Sequence, residues 1–218
     1  NRTIGHRAMR IFLSRYGIHL SKTTVHKYMN KALNLAAVIM RKKPGYTSGK
    51  KHKIFDNLLK QNFTVDEKNK VWCTDFTYMR QPNGKFRYNC TIIDLYDRTV
   101  IASVNSDFIN TELAVETLTQ ALVNEKYPKN LILHSDQGGQ FASWDFVMFC
   151  KKHEITQSMS KAGCPYDNAP MERFYNTFKN CFYYRFTFES VEMLDEMTKE
   201  YINWYNYVRP HSYNNYLT

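Results

Sequence analysis

Three carboxylates, Asp75, Asp136 and Glu172, stand where metal-assisted chemistry is possible. Asp75 lies within Trp72-Cys73-Thr74-Asp75-Phe76-Thr77-Tyr78, a run that reads as a central strand. A charge there is costly unless it is paired or binds a metal. Asp136 lies in His134-Ser135-Asp136-Gln137-Gly138-Gly139, directly after a short apolar strand. Ligands of open α/β sheets gather beyond strand carboxyl ends, so that position suits a site. Glu172 is near the start of a helix with the apolar stripe Met171, Phe174, Phe178, Cys181 and Phe182. With the stripe turned to the core, Glu172, Asn176 and Lys179 share an adjacent face, and Asn168 extends the row. Such an edge could hold a cation and a phosphate backbone together. Oxygen ligands alone favour Mg²⁺ or Mn²⁺ over zinc. Two such ions about 3.5–4 Å apart can activate an attacking oxygen and stabilise the leaving one at a phosphodiester. Spacing alone does not select this set, because the chain has 20 acids. Asp94, Asp97, Asp107 and Asp167 are rivals; Asp94 suits a strand end, Asp97 a turn and Asp167 a helix N-cap.

The elements that must position these groups follow from periodicity. Segments 71–79, 86–95 and 99–105 read as three successive strands, with Pro82-Asn83-Gly84 turning the first pair. Asn110 or Thr111 caps a helix bearing Ala114, Val115, Leu118, Ala121 and Leu122. A short buried strand at 131–134 follows, then a helix from Ser143 to His153 and a strand at 156–159. Helices are expected over 168–184 and 191–208. Three strands followed by alternating helix and strand indicate one α/β domain with a mixed sheet. Upstream, Ile4, Ala8, Ile11 and Phe12 recur at helical spacing before Gly17. Ser21 then caps a second helix with the apolar face Val25, Tyr28, Met29, Ala32 and Leu33. That pair suits a helix-turn-helix or any small helical hairpin; spacing does not distinguish them. In the first case Lys22, Thr23, Thr24 and Lys27 would reach phosphates and base edges.

Charge separates the two regions. The chain of 218 residues carries a formal +10. Residues 1–70 hold 16 Lys and Arg against three acids, whereas residues 71–218 hold 14 against 17. A basic arm on a near-neutral body implies a polyanionic partner. The run containing Arg41, Lys42, Lys43, Lys50, Lys51 and Lys53, broken by Pro, Gly and Ser, reads as a linker that stays extended until an anion neutralises it. Apolar and aromatic content exclude global disorder, and no apolar run approaches the roughly 20 residues of a membrane span. Five scattered cysteines without a CxxC pair fit free thiols in a reducing compartment. Starting at Asn1 without Met, the chain is expected to be a fragment.

The motifs around the carboxylates resemble bacterial insertion-sequence transposases of the IS-three family, second-frame portion. The likeness rests on Trp72 to Tyr78, His134 to Gly138, and Ser158-Met159-Ser160 through Tyr166-Asp167-Asn168-Ala169 to Glu172. It extends to the tail Tyr201-Ile202-Asn203-Trp204-Tyr205-Asn206-Tyr207-Val208-Arg209-Pro210-His211. The resemblance implies an RNase H-like, retroviral-integrase-type core with a mixed five-stranded sheet, and a DDE triad at Asp75, Asp136 and Glu172 using two Mg²⁺ or Mn²⁺ ions. The 35 residues between Asp136 and Glu172 match the family's spacing. Lys179 falls at its basic, DNA-contacting position. It also implies 3′-OH generation at transposon ends and strand transfer, acting on terminal inverted repeats and target DNA as a dimer or larger assembly. A bacterial cytoplasmic, nucleoid-associated location goes with this, and no membrane.

The expected organisation is a helix-turn-helix at 1–40, a basic linker at 41–66, the core at 67–185 and a C-terminal helix with the start of a tail at 186–218. Candidate DNA contacts in the core are Asn168, Arg173, Asn176 and Lys179. Removing residues 1–66 is expected to strip most DNA affinity and leave the triad. Asn214-Asn215 stands where the family usually has Leu-Gly, and Asn tolerates the left-handed backbone such a turn needs. A DNA-binding protein or repressor that has lost catalysis and a nuclease without strand transfer are the other readings.

Overall fold

The computed structural model describes residues 4–35, 53–81 and 83–218. Five strands form one mixed sheet: β1 (Val71–Arg80), β2 (Phe86–Asp94), β3 (Val100–Ser106), β4 (Ile132–Ser135) and β5 (Thr156–Met159), in the order β3-β2-β1-β4-β5. The first three are antiparallel; β4 lies parallel to β1, and β5 parallel to β4. Strand alternation sends neighbouring β1 residues to opposite faces. Trp72 joins Leu118, Leu122 and Phe146 of α3 (Thr111–Asn124) and α4 (Trp144–Lys152). Cys73 joins Phe174, Phe178 and Tyr201 of α5 (Ala169–Cys181) and α6 (Val191–Tyr207). The sheet is therefore buried on both faces, which is the mixed α/β architecture expected from the strand and helix pattern.

The caps expected at Asn110 and Ser143 form, accepting from the backbone N–H of Leu113 and Phe146, and Ser190 caps α6 in the same way through Met193 N–H. The helix expected over 168–184 is shorter. Phe182 leaves helical geometry (φ −126, ψ −77) and packs against Phe178, Phe188 and Tyr201, so a separate 3-10 turn covers Tyr183–Arg185. At the C-terminal turn, Asn215 adopts the left-handed conformation (φ 52).

Residues 53–66 lie against the core and do not form the end of an extended linker. Phe55 packs on the α3–α4 side, while Leu59, Phe63 and Val65 pack on the α5–α6 side. Lys53 N–H donates to the Ala142 carbonyl, and Leu58 N–H to Ser158 Oγ at 2.9 Å. The apolar contacts outweigh the few charges here, because the basic residues concentrate upstream. Arg41, Lys42, Lys43, Lys50 and Lys51 fall outside the described residues.

The N-terminal helices are α1 (His6–Arg15) and α2 (Lys22–Lys27), the latter continued by a π turn through Ala32. Ser21 caps α2 through Thr24 N–H, and Gly17 (φ +77) turns the chain after α1. The apolar face expected on the second helix is only partly buried. Val25 and Met29 are covered, but Tyr28 and Leu33 are 57% and 60% exposed. An Arg15 guanidinium N–H donates to the Val208 carbonyl at 2.7 Å.

Candidate active site

The register of the two central strands sets the site. Cys73 of β1 lies opposite His134 of β4. Two residues further along each parallel strand come Asp75 and Asp136, at one level beyond the end of β4. Asp75 belongs to the sheet face that packs α5, since Val71 and Cys73 of β1 face that side, and Asp136, just past the end of β4, is near enough for its charge to act on Asp75. Glu172 is in the first turn of α5, which lies on the same face. The fold thus brings Asp136 and Glu172 within electrostatic reach of Asp75.

Their electrostatics agree with this placement. Burial pushes the Asp75 carboxyl well above the usual range; the Asp136 charge adds to this and Glu172 does so less strongly, while a hydrogen bond from Phe76 N–H opposes it. That bond, from Phe76 N–H to Asp75 Oδ1, is 2.7 Å. Glu172 is solvent-exposed on one side and also shifted upward by partial burial. Among the described residues no three His, Cys, Asp or Glu side chains lie close enough together to hold one metal ion between them. The donor set nonetheless suits a hard divalent cation. It is all oxygen, and the charges of Asp136 and Glu172 add to burial in raising the proton affinity of Asp75, as uncompensated like charges do.

The rival carboxylates have other work. Asp94, at the end of β2, is fully buried and accepts from Asn69 and Tyr96 N–H. Asp97 accepts from Thr99 N–H within a turn. Asp107 pairs with Arg87. Asp167 accepts from Lys161 N–H and Gln61, and these bonds hold its carboxyl below the ordinary value. The N-cap position of α5 belongs to Asn168, not to Asp167.

The predicted row along α5 does not form as a single edge. Arg173 and Asn176 are exposed beside Glu172. Asn168 is 4% exposed and donates to the Thr74 carbonyl, because the chain enters α5 through a 3-10 turn tucked over the sheet. Lys179 turns onto β1, where its ammonium donates to the Tyr78 carbonyl and lies 4.4 Å from the Tyr78 ring centroid and 5.3 Å from that of Tyr183. Burial lowers it to about 8. On the arm, Lys22, Thr23 and Lys27 are exposed and Thr24 half-buried, with Thr24 held by the Ser21 cap. Lys53 lies over the Phe55 ring.

Three supporting residues went unrecognised in the sequence. Tyr175 Oη donates to the Asp75 carbonyl at 2.8 Å, fastening α5 to β1 beside the carboxylate. Its signal was position: three residues after Glu172, it falls within the helix's core-facing side. His134 is buried, with Nδ1 2.8 Å from Ser158 Oγ and Nε2 2.9 Å from the Asp167 carbonyl. The carbonyl can only accept, so Nε2 carries the proton and Nδ1 accepts from Ser158. This ring ties β4 to β5 and to the segment before α5. Gly138 N–H donates to Asp136 Oδ1 at 2.8 Å, and a Cβ there would meet that oxygen at 2.9 Å. The glycine lets its backbone approach the carboxylate.

The chain is similar to known proteins in sequence and in fold. Residues 65–165 and 153–218 each match an integrase core domain family. The transposase InsF of insertion sequence IS3A from Escherichia coli (strain K12) is 37% identical over 161 residues, covering 73% of this chain and 56% of InsF. The chain thus spans a little over half the length of that relative. The uncharacterized 31 kDa protein of insertion element IS600 from Shigella sonnei is 31% identical over 96% of this chain and 77% of its own length. The Mos1 transposase catalytic domain, solved with raltegravir and magnesium, superposes with a TM-score of 0.52 at 14% identity, over 62% of this chain and 71% of the Mos1 domain. That last likeness concerns the fold alone. By sequence the chain belongs to the IS3-family transposases, and its fold is that of an RNase H-like integrase core.

Proposed function

We propose that this protein cuts and joins DNA at the ends of an insertion sequence, with Asp75, Asp136 and Glu172 as its catalytic carboxylates. The observation that carries the reading is that Asp136, just past the end of β4, and Glu172, in the first turn of α5, lie within electrostatic reach of Asp75 on the adjacent parallel strand β1. These three side chains would hold the divalent ions, Mg²⁺ or Mn²⁺, that activate the attacking oxygen and neutralise the leaving one at a phosphodiester when two are bound. The magnesium in the Mos1 domain supports that choice of cation.

The chain's own groups set the geometry. The Phe76 and Gly138 N–H groups each fix one carboxylate oxygen, on Asp75 and Asp136. Tyr175 holds α5 at a constant distance from β1. In the first step water attacks phosphorus, the bond to the 3′ oxygen breaks, and a 3′-OH is left on the element. In the second step that hydroxyl attacks another phosphodiester, so one P–O bond forms as another breaks. The exposed cations Lys22 and Lys27, with Thr23 and Thr24, form one side of a helix-turn-helix reading helix that grips terminal repeats. Arg173 and Asn176 flank the cleaved strand, and two or more copies pair the ends.

Purified protein given oligonucleotide duplexes carrying the element's end and Mg²⁺ or Mn²⁺ should nick and join them. Asp136→Asn should bind the duplex as well as the wild type and show neither reaction. Wild-type protein that binds the end but leaves it intact with either metal would establish a DNA-binding protein without catalysis. Cut but unjoined product would establish a nuclease.

A further inference from the structure

A cleft of about 310 Å³ lies between the N-terminal helices and the C-terminal turn, and cations line it. Arg7 and Arg10 sit three residues apart on one face of α1, Lys22 opens α2, and Tyr216 comes from the tail. The arm and the tail are both fastened to the end of α6. Arg15 donates to the Val208 carbonyl at 2.7 Å, where α6 stops. Tyr216 N–H donates to the His211 carbonyl at 2.7 Å, and His211 Nε2 lies 2.8 Å from the Tyr205 carbonyl of α6. The cleft is thus built by two distant parts of the chain.

Its charge is not neutralised from within. Residues 4–35 carry Arg7, Arg10, Arg15, Lys22, Lys27 and Lys31 and contain no Asp or Glu. Among the described residues Arg7, Arg10 and Lys22 form no ion pair, and all three are exposed. A neighbour feels the field. The His6 ring, 4.8 Å from that of His26, has its proton affinity lowered by burial and then by the charges of His26, Arg7 and Lys22. Cations gathered in this way repel one another until an anion joins them.

The lining selects the anion. Guanidinium groups pair with phosphate oxygens two at a time, and a lysine ammonium adds a compact charge. Walls this polar do not suit an apolar small molecule. Lys27 and Lys31, exposed farther along the same segment, continue the positive surface away from the cleft. A row of cations fits a polymer of phosphates better than one free ion.

We propose that this cleft seats one backbone phosphate of duplex DNA, held by Arg7, Arg10 and Lys22 against Tyr216. The seat reads no sequence; it joins the arm and the C-terminal turn of one copy on a single phosphate. The inference rests on the DNA-binding half of the reading above and does not depend on catalysis.

The test measures binding of the full 218-residue chain to two duplexes, the element's end and an unrelated sequence, over a range of salt. Replacing both arginines (Arg7→Gln with Arg10→Gln) should weaken both duplexes alike, about tenfold. It should flatten the slope of log K against log salt by about 0.9, the value of one phosphate. Tyr216→Glu puts a carboxylate in the seat and should cost about as much. Leu217→Glu adds the same charge on the next residue, which is 69% exposed, and should cost less than about threefold. Thermal melts check that each variant folds. Wild-type affinity in the double variant, a loss confined to the end sequence, or equal losses from the two glutamates overturns the seat. A slope change of about 1.8 also overturns it, since the arginines would then hold separate phosphates. Wild type that binds both duplexes in the expected pattern and never cuts them leaves the seat standing and removes only the DNA-transfer reading. Wild type that binds neither duplex overturns the seat itself.

Discussion

At the scale of single residues, burial and neighbouring like charge give the Asp75 carboxylate a stability cost. Asp75 is half-buried beside Asp136, and its raised proton affinity means the folded protein binds a proton more tightly than the unfolded chain. Its ionisation therefore destabilises the fold as pH rises from the ordinary carboxylate range through the raised value. Asp75→Asn removes that charge in nearly the same volume. It should raise Tm by roughly 3–6 °C at pH 7 without metal, with little gain near pH 4, while abolishing DNA cleavage. Calorimetry at the two pH values, paired with the cleavage assay, checks this. Mg²⁺ should stabilise the wild type and not the variant. Gly138 makes the complementary case. Its Cβ would press on Asp136 Oδ1, so Gly138→Ala should cost about 10- to 100-fold in activity through misplacement of one carboxylate. Thermal stability should change by less than about 1 kcal/mol, because the loop is partly exposed.

At the scale of elements, the site depends on how β1, β4, β5 and α5 are tied together, and two side chains do most of this. Tyr175→Phe removes the bond to the Asp75 carbonyl and should cost about 1 kcal/mol in chemical denaturation, with a larger fall in kcat than in DNA affinity. His134 is held neutral, its proton affinity lowered by burial. The unfolded chain takes up a proton where the folded one resists it, so stability declines as pH falls below about 6.5. His134→Gln should flatten part of that decline in a pH series of denaturant melts, the remainder belonging to His211, which is lowered likewise. Much of this level was legible beforehand. Alternation and caps placed the five strands and the helix bearing Glu172, because apolar period and capping chemistry act locally. Side-chain direction within α5 was not legible: Asn168 and Lys179 face inward because a 3-10 turn and the Tyr78–Tyr183 pair receive them. Those are tertiary facts without a local signature. The choice of Asp75 and Asp136 over Asp94 and Asp97 rested on flanking motifs, and backbone N–H groups engage both sets alike.

At the scale of the whole molecule, charge and packing divide the chain at different places. Net charge changes sign near residue 70, which suggests that everything before it is a detachable DNA-binding arm. Packing places the boundary earlier. Leu59, Phe63 and Val65 cover the α5–α6 side of the sheet, Gln61 donates to Asp167 at 2.8 Å, and Leu58 N–H bonds Ser158, the residue that also orients His134. Residues 53–66 thus brace the segment leading into α5, and the polyelectrolyte part of the arm lies mostly before them. Two truncations separate these roles. A protein of residues 53–218 should fold cooperatively and retain the carboxylate site, as judged by Mn²⁺ binding. It should lose most DNA affinity, and the slope of log K against log salt should flatten by about 0.9 for each phosphate contact given up. A protein of residues 67–218 should lose at least about 3 kcal/mol through its uncovered apolar side chains and should aggregate or melt well below the longer one. Equal stability of the two fragments would show that the 53–66 segment is the extended linker its sequence suggests. Undiminished DNA affinity in the longer fragment would move the DNA grip from the arm to the core.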